Sequence, residues 1–584
     1  MKKKNFSKVF AVIALAASSV TSYAQQNLGA DCGCPPVNSR PIVDLAGAAY
    51  SVVGGGNDGD LTANNTILDC TKRWKLSKKT YVPAGKTLTI LPGTVVIGAD
   101  VNSTSGGTAA GQAAALIVEK DGKIVASGTE SCPIVFTADA DPMDGTYSIS
   151  NRGKWGGIAI LGKAQNNLTL AANGPFDGAG KLAVADGIGV CEGYLASDGR
   201  NQFGVTPANF DNTDNSGVLR YVSIRHAGDI VGSGNELNGL TLASVGSGTT
   251  IDHIEIVACD DDNIEFFGGT VNVKYVVGLY GADDMFDYDL GYSGKAQFVF
   301  GLQADSTISP TADNGIEADA DDQRSNLTPR SHPKLYNFTM IGNGRYLNTG
   351  DNTGHCGIQD KELTEGEVYN SVIAKFNHGL NFFTKTGANN SRSINFEAYN
   401  NWAAGFSPYS GTLIASCNTF VGNNDNLRLD AQRTASGTAA GSALYYSKAK
   451  GIAPSATDLA KFTADGNLTP ASIAGFDYSF GITASTNVVT DKYNAVPNLL
   501  TDVATSCTPP NDGFFTAAGY RGAFEPGKKN WMAGWTSLSL YGNTNSAYSA
   551  STGFISCPTD IDQNGVTNNA DFLELIAKFN QSCQ

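Results

Sequence analysis

The segment HIEIVACDDDNIEFF at residues 253–267 is followed 22 residues later by the similar segment YVVGLYGADDMFDYD at 275–289. Within this repeat, Asp261–Phe267 falls on Asp283–Asp289, and Gly315–Asp319 fits the same template after an insertion of eight residues. A period of 22 residues is typical of solenoid proteins and suits one coil of three short strands. Weaker copies, again 22 residues apart, are Gly357–Asp360 and Gly379–Phe382.

The chain upstream of this repeat consists of short apolar runs separated by turns rich in Gly, Asn and Asp. Examples are TLTI at 87–90, VVIG at 95–98 and ALIV at 115–118. Strands this short cannot each bury a face alone, but they can when successive coils stack. A β-sandwich is the alternative, but it gives no reason for like residues to recur at one spacing. We therefore predict an all-β fold, namely a right-handed parallel β-helix.

Composition and the first segment indicate where the protein is found. The 584 residues carry a formal charge of −15 with 41% hydrophobic residues, which excludes a disordered chain and argues against nucleic acid as a partner. Residues 1–24 combine a lysine-rich start, an apolar run and a small-residue cleavage pattern, so they predict a signal peptide. No later stretch is apolar enough for the roughly 20 residues of a transmembrane span. We expect a secreted, extracellular or outer cell-surface protein.

Three blocks of sequence carry a family resemblance. YVPAGKTLTILPGTVVIG begins at Tyr81, GGTVNVKYVVGLYGADDMFDYDLGYSGKAQF begins at Gly268, and DGFFTAAGYRGAFEPGKKNWMAGWT begins at Asp512. These blocks resemble a family of exported parallel β-helix proteins of Bacteroidetes and related bacteria. The resemblance implies a β-helix fold and an extracellular location. It implies no established activity, so it transfers no catalytic residue.

The predicted organisation has five parts. Their order is the signal peptide 1–24, an N-terminal leader or cap 25–78, a β-helix with insertions 79–510, an aromatic-rich closing cap 511–550 and a calcium-binding tail 555–584. The tail resembles half of a dockerin, with a single EF-hand loop. Cys557 and Cys583 bracket it and are predicted to form a disulfide. The predicted calcium ligands are the side chains of Asp560, Asp562, Asn564, Asn568 and Asp571 and the carbonyl of Val566.

The repeat also predicts an acidic ladder. In the 22-residue register, Glu265, Asp287 and Glu317 form one column and Asp289 with Asp319 a second, with neighbouring rungs about 4.8 Å apart. Alternation directs the apolar residue before each acid inward and the acids outward. Stacked like charges repel, so water must screen them or a cation must bridge them. The ladder is therefore a candidate for a second calcium site, for an acid/base pair or for a solvated acidic strip.

These patterns favour a noncatalytic β-helix scaffold, structural, adhesive or glycan-binding, which calcium stabilises. Its expected partner is an extracellular glycan or a surface protein. The alternative is a polysaccharide lyase or glycoside hydrolase of β-helix fold that acts on an acidic polysaccharide. Carboxylates for such chemistry are plentiful, but the familiar Gly-His-Gly and Arg-Ile-Lys hydrolase signatures are missing.

Overall fold

The computed structural model describes most of residues 28–542. The tail, the predicted pair Cys557–Cys583 and the signal peptide lie outside the described residues. The ranges inside 28–542 that are not described are 48–49, 52–57, 101–112, 174–182, 195–196, 233–234, 305–308, 321–326, 345–354, 361–363, 383–412, 424, 430–432, 436–445, 449–455, 471–480, 483–488, 491–506 and 526–529.

The fold is a parallel β-helix, as the repeat predicts. Two long sheets run along the solenoid, sheet A with 16 strands and sheet B with 12, and nearly all of their strand pairs are parallel. Each coil passes along two legs of sheet A and then one leg of sheet B. The chain therefore meets the same sheet again after one coil, which is why a sequence period of 22 residues appears as stacked rungs.

The strands of sheet A are Ile42–Asp44, Asn65–Leu68, Arg73–Leu76, Thr87–Ile90, Val95–Gly98, Lys123–Ser127, Ile134–Ala138, Gly217–Arg225, Thr250–Val257, Asn272–Leu279, Lys295–Leu302, Lys334–Ile341, Glu367–Tyr369, Val372–Ala374, Ile414–Ser416 and Thr419–Val421. The strands of sheet B are Tyr50–Ser51, Asp58–Leu61, Lys79–Val82, Leu116–Val118, Ile158–Leu161, Leu240–Ala243, Ile264–Phe267, Asp287–Asp289, Ile316–Ala318, Cys356–Asp360, His378–Phe382 and Asp425–Leu429.

Short antiparallel strands and helices lie outside these two sheets. The antiparallel strands are Ala183–Ala185, Ile188–Val190 and Gln202–Gly204, then Asp229–Gly232 with Asn235–Leu237, Arg433–Ala435 with Tyr446–Lys448, and Gly481–Ile482 with Val489–Thr490. The described α-helices are Leu170–Asn173, Ala456–Ala464 and Ser537–Gly542, and the 3-10 turns are Ala30–Cys32, Val37–Ser39, Leu45–Gly47, Gly199–Asn201 and Pro207–Asn209.

The two legs of sheet A meet at a sharp corner in the middle coils. There a single strand of eight or nine residues bends at one residue with positive φ, and that residue recurs at the same rung position. Non-glycine residues adopt this left-handed conformation only rarely, so its recurrence marks a corner that the stacked rungs impose. The corner residues are Tyr221, His253, Tyr275, Phe298 and Asn337, with φ from 49° to 61°.

Alternation along the strands fills the inside of the solenoid with apolar side chains. Ile264, Phe286 and Ile316 all point into one continuous core that runs from the first coils to the last. Burial of such side chains stabilises each by about 1.5–3 kcal/mol and is the main force that holds the coils together. The direction of these three residues agrees with the prediction that the neighbouring acids face outward.

Two segments cover the outer faces. Residues 163–173, 183–194 and 197–215, here called the insertion, pack an apolar cluster onto sheet B that extends from Tyr81 to Phe267. Residues 507–525 and 530–542, here called the strap, run back along the side of sheet A. Gln297 and Thr516 bond reciprocally at 2.8 Å, and the Asn337 side chain donates to the Tyr520 carbonyl at 2.8 Å.

The structure differs from the predicted boundaries in two respects. The aromatic segment predicted as a closing cap lies beside the coils, because its rings find apolar and aromatic partners along sheet A, such as Tyr336 for Phe515 and Phe300 for Phe524. The predicted leader already supplies strands to both sheets. Arg73–Leu76, for example, pairs in parallel with Val95–Gly98.

Disulfides in the described chain join Cys32 to Cys132, Cys34 to Cys70 and Cys417 to Cys507. The last of these ties the start of the strap to a late coil. Among the described residues, no helix has both the length and the apolar character needed to cross a membrane.

Candidate functional site

The first column of the predicted acidic ladder exists in the structure. Glu265 pairs with Asp287, and Asp287 pairs with Glu317, on three neighbouring strands of sheet B. Gln359 continues the column and donates from Nε2 to Oε1 of Glu317 at 3.0 Å. The register prediction is therefore correct. The register continues across the eight extra residues before Gly315 because the core position before each acid is apolar in every copy.

The second column follows from the same pairing. Tyr288 lies opposite Ala318, which places Asp289 and Asp319 at equivalent positions. Asp287, Asp289 and Asp319 are each only 6–7% exposed. The acids face away from the solenoid core but are covered, which argues against a fully solvated acidic strip.

A third column lies at the turn before these strands, and the predicted ligand set did not contain it. Asp262, Asp284 and Asn314 occupy equivalent positions, each with one side-chain oxygen that accepts from the backbone of the next rung. Asp284 N donates to Asp262 at 2.8 Å, Asn314 N donates to Asp284, and Cys356 N donates to Asn314 at 3.0 Å. The signal was present in the repeat, since Asp262 and Asp284 align at a shift of 22.

The columns bring carboxylates into small groups. Oxygens of Asp262, Glu265 and Asp287 all lie within 4.8 Å of one another, and all three residues are buried. Two further groups of the same kind include Asp262 or Asp284 and are partly exposed: Asp261 with Asp262 and Asp283, and Asp283 with Asp284 and Asp313. The turn and strand acids thus form one continuous acidic row across three rungs.

The electrostatics of the row are unfavourable for bare carboxylates. Burial first, and the neighbouring carboxylates second, raise the pKa values of Asp262, Glu265 and Asp284 well above their usual range. Glu192, from the insertion, adds to this effect at Glu265. Burial and mutual repulsion thus disfavour the ionised form of these groups, whereas a bound cation would stabilise it.

A neutral amide adjoins the buried group. Asn238 precedes Asp262 by one rung in the turn column, is 2% exposed, and donates from its amide nitrogen to Glu265. Its Oδ1 has no hydrogen-bond partner among the described residues. Calcium prefers several carboxylate, amide and carbonyl oxygens, so Asp262, Glu265, Asp287 and Asn238 form a donor set of the right chemistry. These four residues are the candidate cation site.

Two of the histidines make contacts with aromatic rings or with carboxylates. His253 is stacked between Tyr221 and Tyr275, with ring centroids at 4.3 and 4.4 Å, and its Nδ1 contacts Asp252. His332 faces the surface beside Glu367 at 2.8 Å. The ligands predicted for the tail loop lie outside the described residues.

Comparisons with known proteins bear on the fold. No curated protein matches the chain. One solved structure with some similarity is full-length tailspike protein 2 of Escherichia coli O157:H7 bacteriophage CAB120. The two sequences are 12% identical, and the match covers 68% of this chain and 47% of the tailspike, with a TM-score of 0.21. The chain therefore spans about half the length of that tailspike.

The family match covers most of the solenoid, including the acidic row and the insertion. Residues 59–443 match the family described as pectate-lyase like beta helix domain. With parallel coils stacked through that same range, the chain belongs to the pectate-lyase like beta helix domain family.

Proposed function

We propose that this protein is a noncatalytic, calcium-stiffened β-helix scaffold that acts outside the cell and binds a glycan or a surface protein. The observation that carries the proposal is the buried group of Asp262, Glu265 and Asp287 beside the amide of Asn238, which donates to Glu265. The resemblance to exported β-helix proteins and the predicted signal peptide support the extracellular location.

The physical argument concerns the cost of burying like charges. Three carboxylates held within 4.8 Å of one another repel strongly where water is excluded. A divalent cation removes that repulsion and binds three neighbouring rungs together, because Asn238, Asp262 with Glu265, and Asp287 belong to successive strands of sheet B and the turns before them. Calcium would therefore stiffen the solenoid at its middle.

Thermal unfolding with and without calcium tests this role. The full chain is stripped with EDTA and then titrated with calcium chloride. We expect the melting temperature to rise, by the equivalent of about 2.7 kcal/mol at a hundredfold excess over Kd. The double variant Glu265→Gln/Asp287→Asn should lose this rise and should be at least as stable as the parent in EDTA, because repulsion is relieved.

Two matched variants separate this site from others. Asp211→Asn removes a surface acid of the insertion and should leave the calcium response unchanged. Asp560→Ala/Asp562→Ala disables the proposed tail loop, whose other ligands are Asn564, Val566, Asn568 and Asp571. It should leave the response of the solenoid intact. An unchanged rise in the Glu265/Asp287 double variant would remove the cation site from the proposal.

A specific observation also favours an enzymatic alternative. The family is pectate-lyase like, and buried carboxylates with raised pKa values suit acid/base chemistry on an acidic polysaccharide. Incubation with a panel of acidic polysaccharides, with and without calcium, distinguishes the two roles. Reducing ends or unsaturated uronates that vanish in Glu265→Ala, Asp287→Ala or Glu317→Ala would establish the enzyme and refute the scaffold.

A further inference from the structure

The strap follows one column of sheet A over a long distance. The corner column continues through Asn370 and Cys417, which occupy the next two rungs and also have positive φ. The strap contacts this column from Cys507, which is joined to Cys417, to Trp535, which packs edge to face against Tyr221 at 5.5 Å. One segment therefore spans seven neighbouring strands of the sheet.

The end of the strap nearest the late coils is covalent. Cys507 forms the disulfide with Cys417, which is 2% exposed, and the Cys507 carbonyl accepts from the Asn370 side chain at 2.6 Å. The two cysteines are 90 residues apart in the sequence. Closing so long a loop removes conformational entropy from the chain with an undocked strap, and it thereby favours the docked strap.

The middle of the strap is held by single hydrogen bonds. The backbone nitrogen of Thr516 donates to the side-chain oxygen of Gln297 at 2.8 Å, and that of Ala523 donates to the Thr339 hydroxyl at 2.8 Å. Among its described residues the strap contains no β-strand. It therefore adds no rung to a sheet, and it can leave sheet A without breaking a ladder of backbone bonds.

The opposite end of the strap depends on a buried carboxylate. Glu255 is fully buried and accepts from the backbone nitrogen and the hydroxyl of Ser537, both at 2.8 Å. It also accepts from the Ser223 hydroxyl at 2.6 Å and lies 3.9 Å from Arg225. These bonds form only when the strap has reached the early rungs, so this end is noncovalent and reversible.

We propose that the strap is a redox-set latch. In the reduced chain the strap docks weakly, and oxidation of Cys417 and Cys507 outside the cell fixes it across the seven strands. The two thiols become one disulfide, and their electrons and protons pass to a disulfide oxidant, which becomes two thiols. The inference rests on the extracellular location in the proposed function, and it does not involve the acidic row, which lies on sheet B.

Hydrogen–deuterium exchange of the full chain, followed by mass spectrometry, tests the latch. In Cys417→Ser/Cys507→Ser the amides of Thr516, Ala523 and Ser537 should exchange about tenfold faster or more than in the oxidised wild type. The physical reason is that the open strap then has the whole preceding loop to explore before it docks again. Equal exchange of the strap in the two proteins overturns the inference.

Cys34→Ser/Cys70→Ser is the matched control. It removes a disulfide that closes a shorter stretch of 36 residues near the first coils. Exchange of the strap should remain that of the wild type in this variant. Acceleration equal to that in the Cys417/Cys507 variant would mean that loss of any disulfide loosens the strap, and it would overturn the latch.

A second measurement needs no variant. The wild type is purified under reducing conditions and treated with oxidised glutathione, and the disulfides are mapped at each time point. Protection of the strap from exchange should rise together with the Cys417–Cys507 disulfide, and full protection before that disulfide forms overturns the inference. The calcium-dependent melting shift of the Cys417→Ser/Cys507→Ser variant is measured in parallel. It should persist there, so failure of the latch and failure of the cation site are distinguishable.

Discussion

The outer face of sheet B consists of two halves with opposite chemistry. Tyr81, Ile117 and Ala159 occupy one column in the first coils, and Glu265 and Asp287 continue the same column two strands later. Both halves are buried. The first is covered by apolar side chains of the insertion, whereas the second brings carboxylates together.

This comparison separates two roles of a strand residue. Alternation decides that every second side chain leaves the core, and it does so identically in both halves. The covering segment decides what chemistry that position must have. An apolar cover stabilises through hydrophobic burial, while a covered acid needs a counter-charge or a proton. Thr241 stands between Ala159 and Glu265 in the column and marks the boundary.

The largest expected effect lies in the apolar packing of the insertion. Phe203 is fully buried in the insertion and stacks on Phe267 at 6.2 Å. Phe203→Ala should lower the free energy of unfolding by about 3–5 kcal/mol, because it removes the ring and leaves a cavity. Denaturant unfolding measures this loss, and limited proteolysis should show earlier cleavage of the insertion.

Leu170→Ala is the control for that experiment, since Leu170 belongs to the same insertion but is 41% exposed. It should change stability by less than about 0.5 kcal/mol. Equal effects of the two variants would contradict the view that the insertion is held by apolar packing.

A smaller effect is expected in the acidic half. Asp284→Asn keeps the side-chain oxygen that accepts from Asn314 N but removes a buried charge. In EDTA it should raise stability by about 1 kcal/mol, because one like-charge contact disappears. The reverse change one rung on, Asn314→Asp, should lower stability by a similar amount. If neither variant changes stability in EDTA, like-charge repulsion does not destabilise the row.

The smallest effect is a pH dependence in the apolar half, because Glu119 is only partly buried and water screens its charge. Burial first, and the Asp60 carboxylate second, raise the pKa of Glu119 from 4.5 to about 7. The folded protein therefore binds this proton more tightly than the unfolded chain, so stability falls as pH rises from 4.5 to about 7. Glu119→Gln should remove that fall.

Melting temperatures of the two proteins between pH 4 and pH 8 provide the measurement. The advantage of Glu119→Gln should be absent at the acidic end and largest above pH 7. An advantage that is constant with pH would mean that the residue acts through packing, since its Oε1 is buried with no hydrogen-bond partner among the described residues.

Several features of the site could be predicted from local sequence. The spacing of Asp261–Phe267 and Asp283–Asp289 was enough to place Glu265 opposite Asp287, because each coil returns the chain to the same sheet. Asn238 could not be predicted as part of the site because its segment lacks the acidic signature of the repeat. The disulfides also escaped, because spacing along the chain does not reveal which coils or loops touch.

The length of the coil, the inward and outward alternation and the vertical register of the acids all follow from the local sequence pattern. These depend on residues within one or two periods of each other. The segments that cover each face, in contrast, could be identified only from the folded protein. Ser537 of the strap meets Glu255 across a sequence separation of 282, and no periodic pattern contains such a contact. Covering elements pack wherever shape and polarity match, so their position is a property of the assembled solenoid.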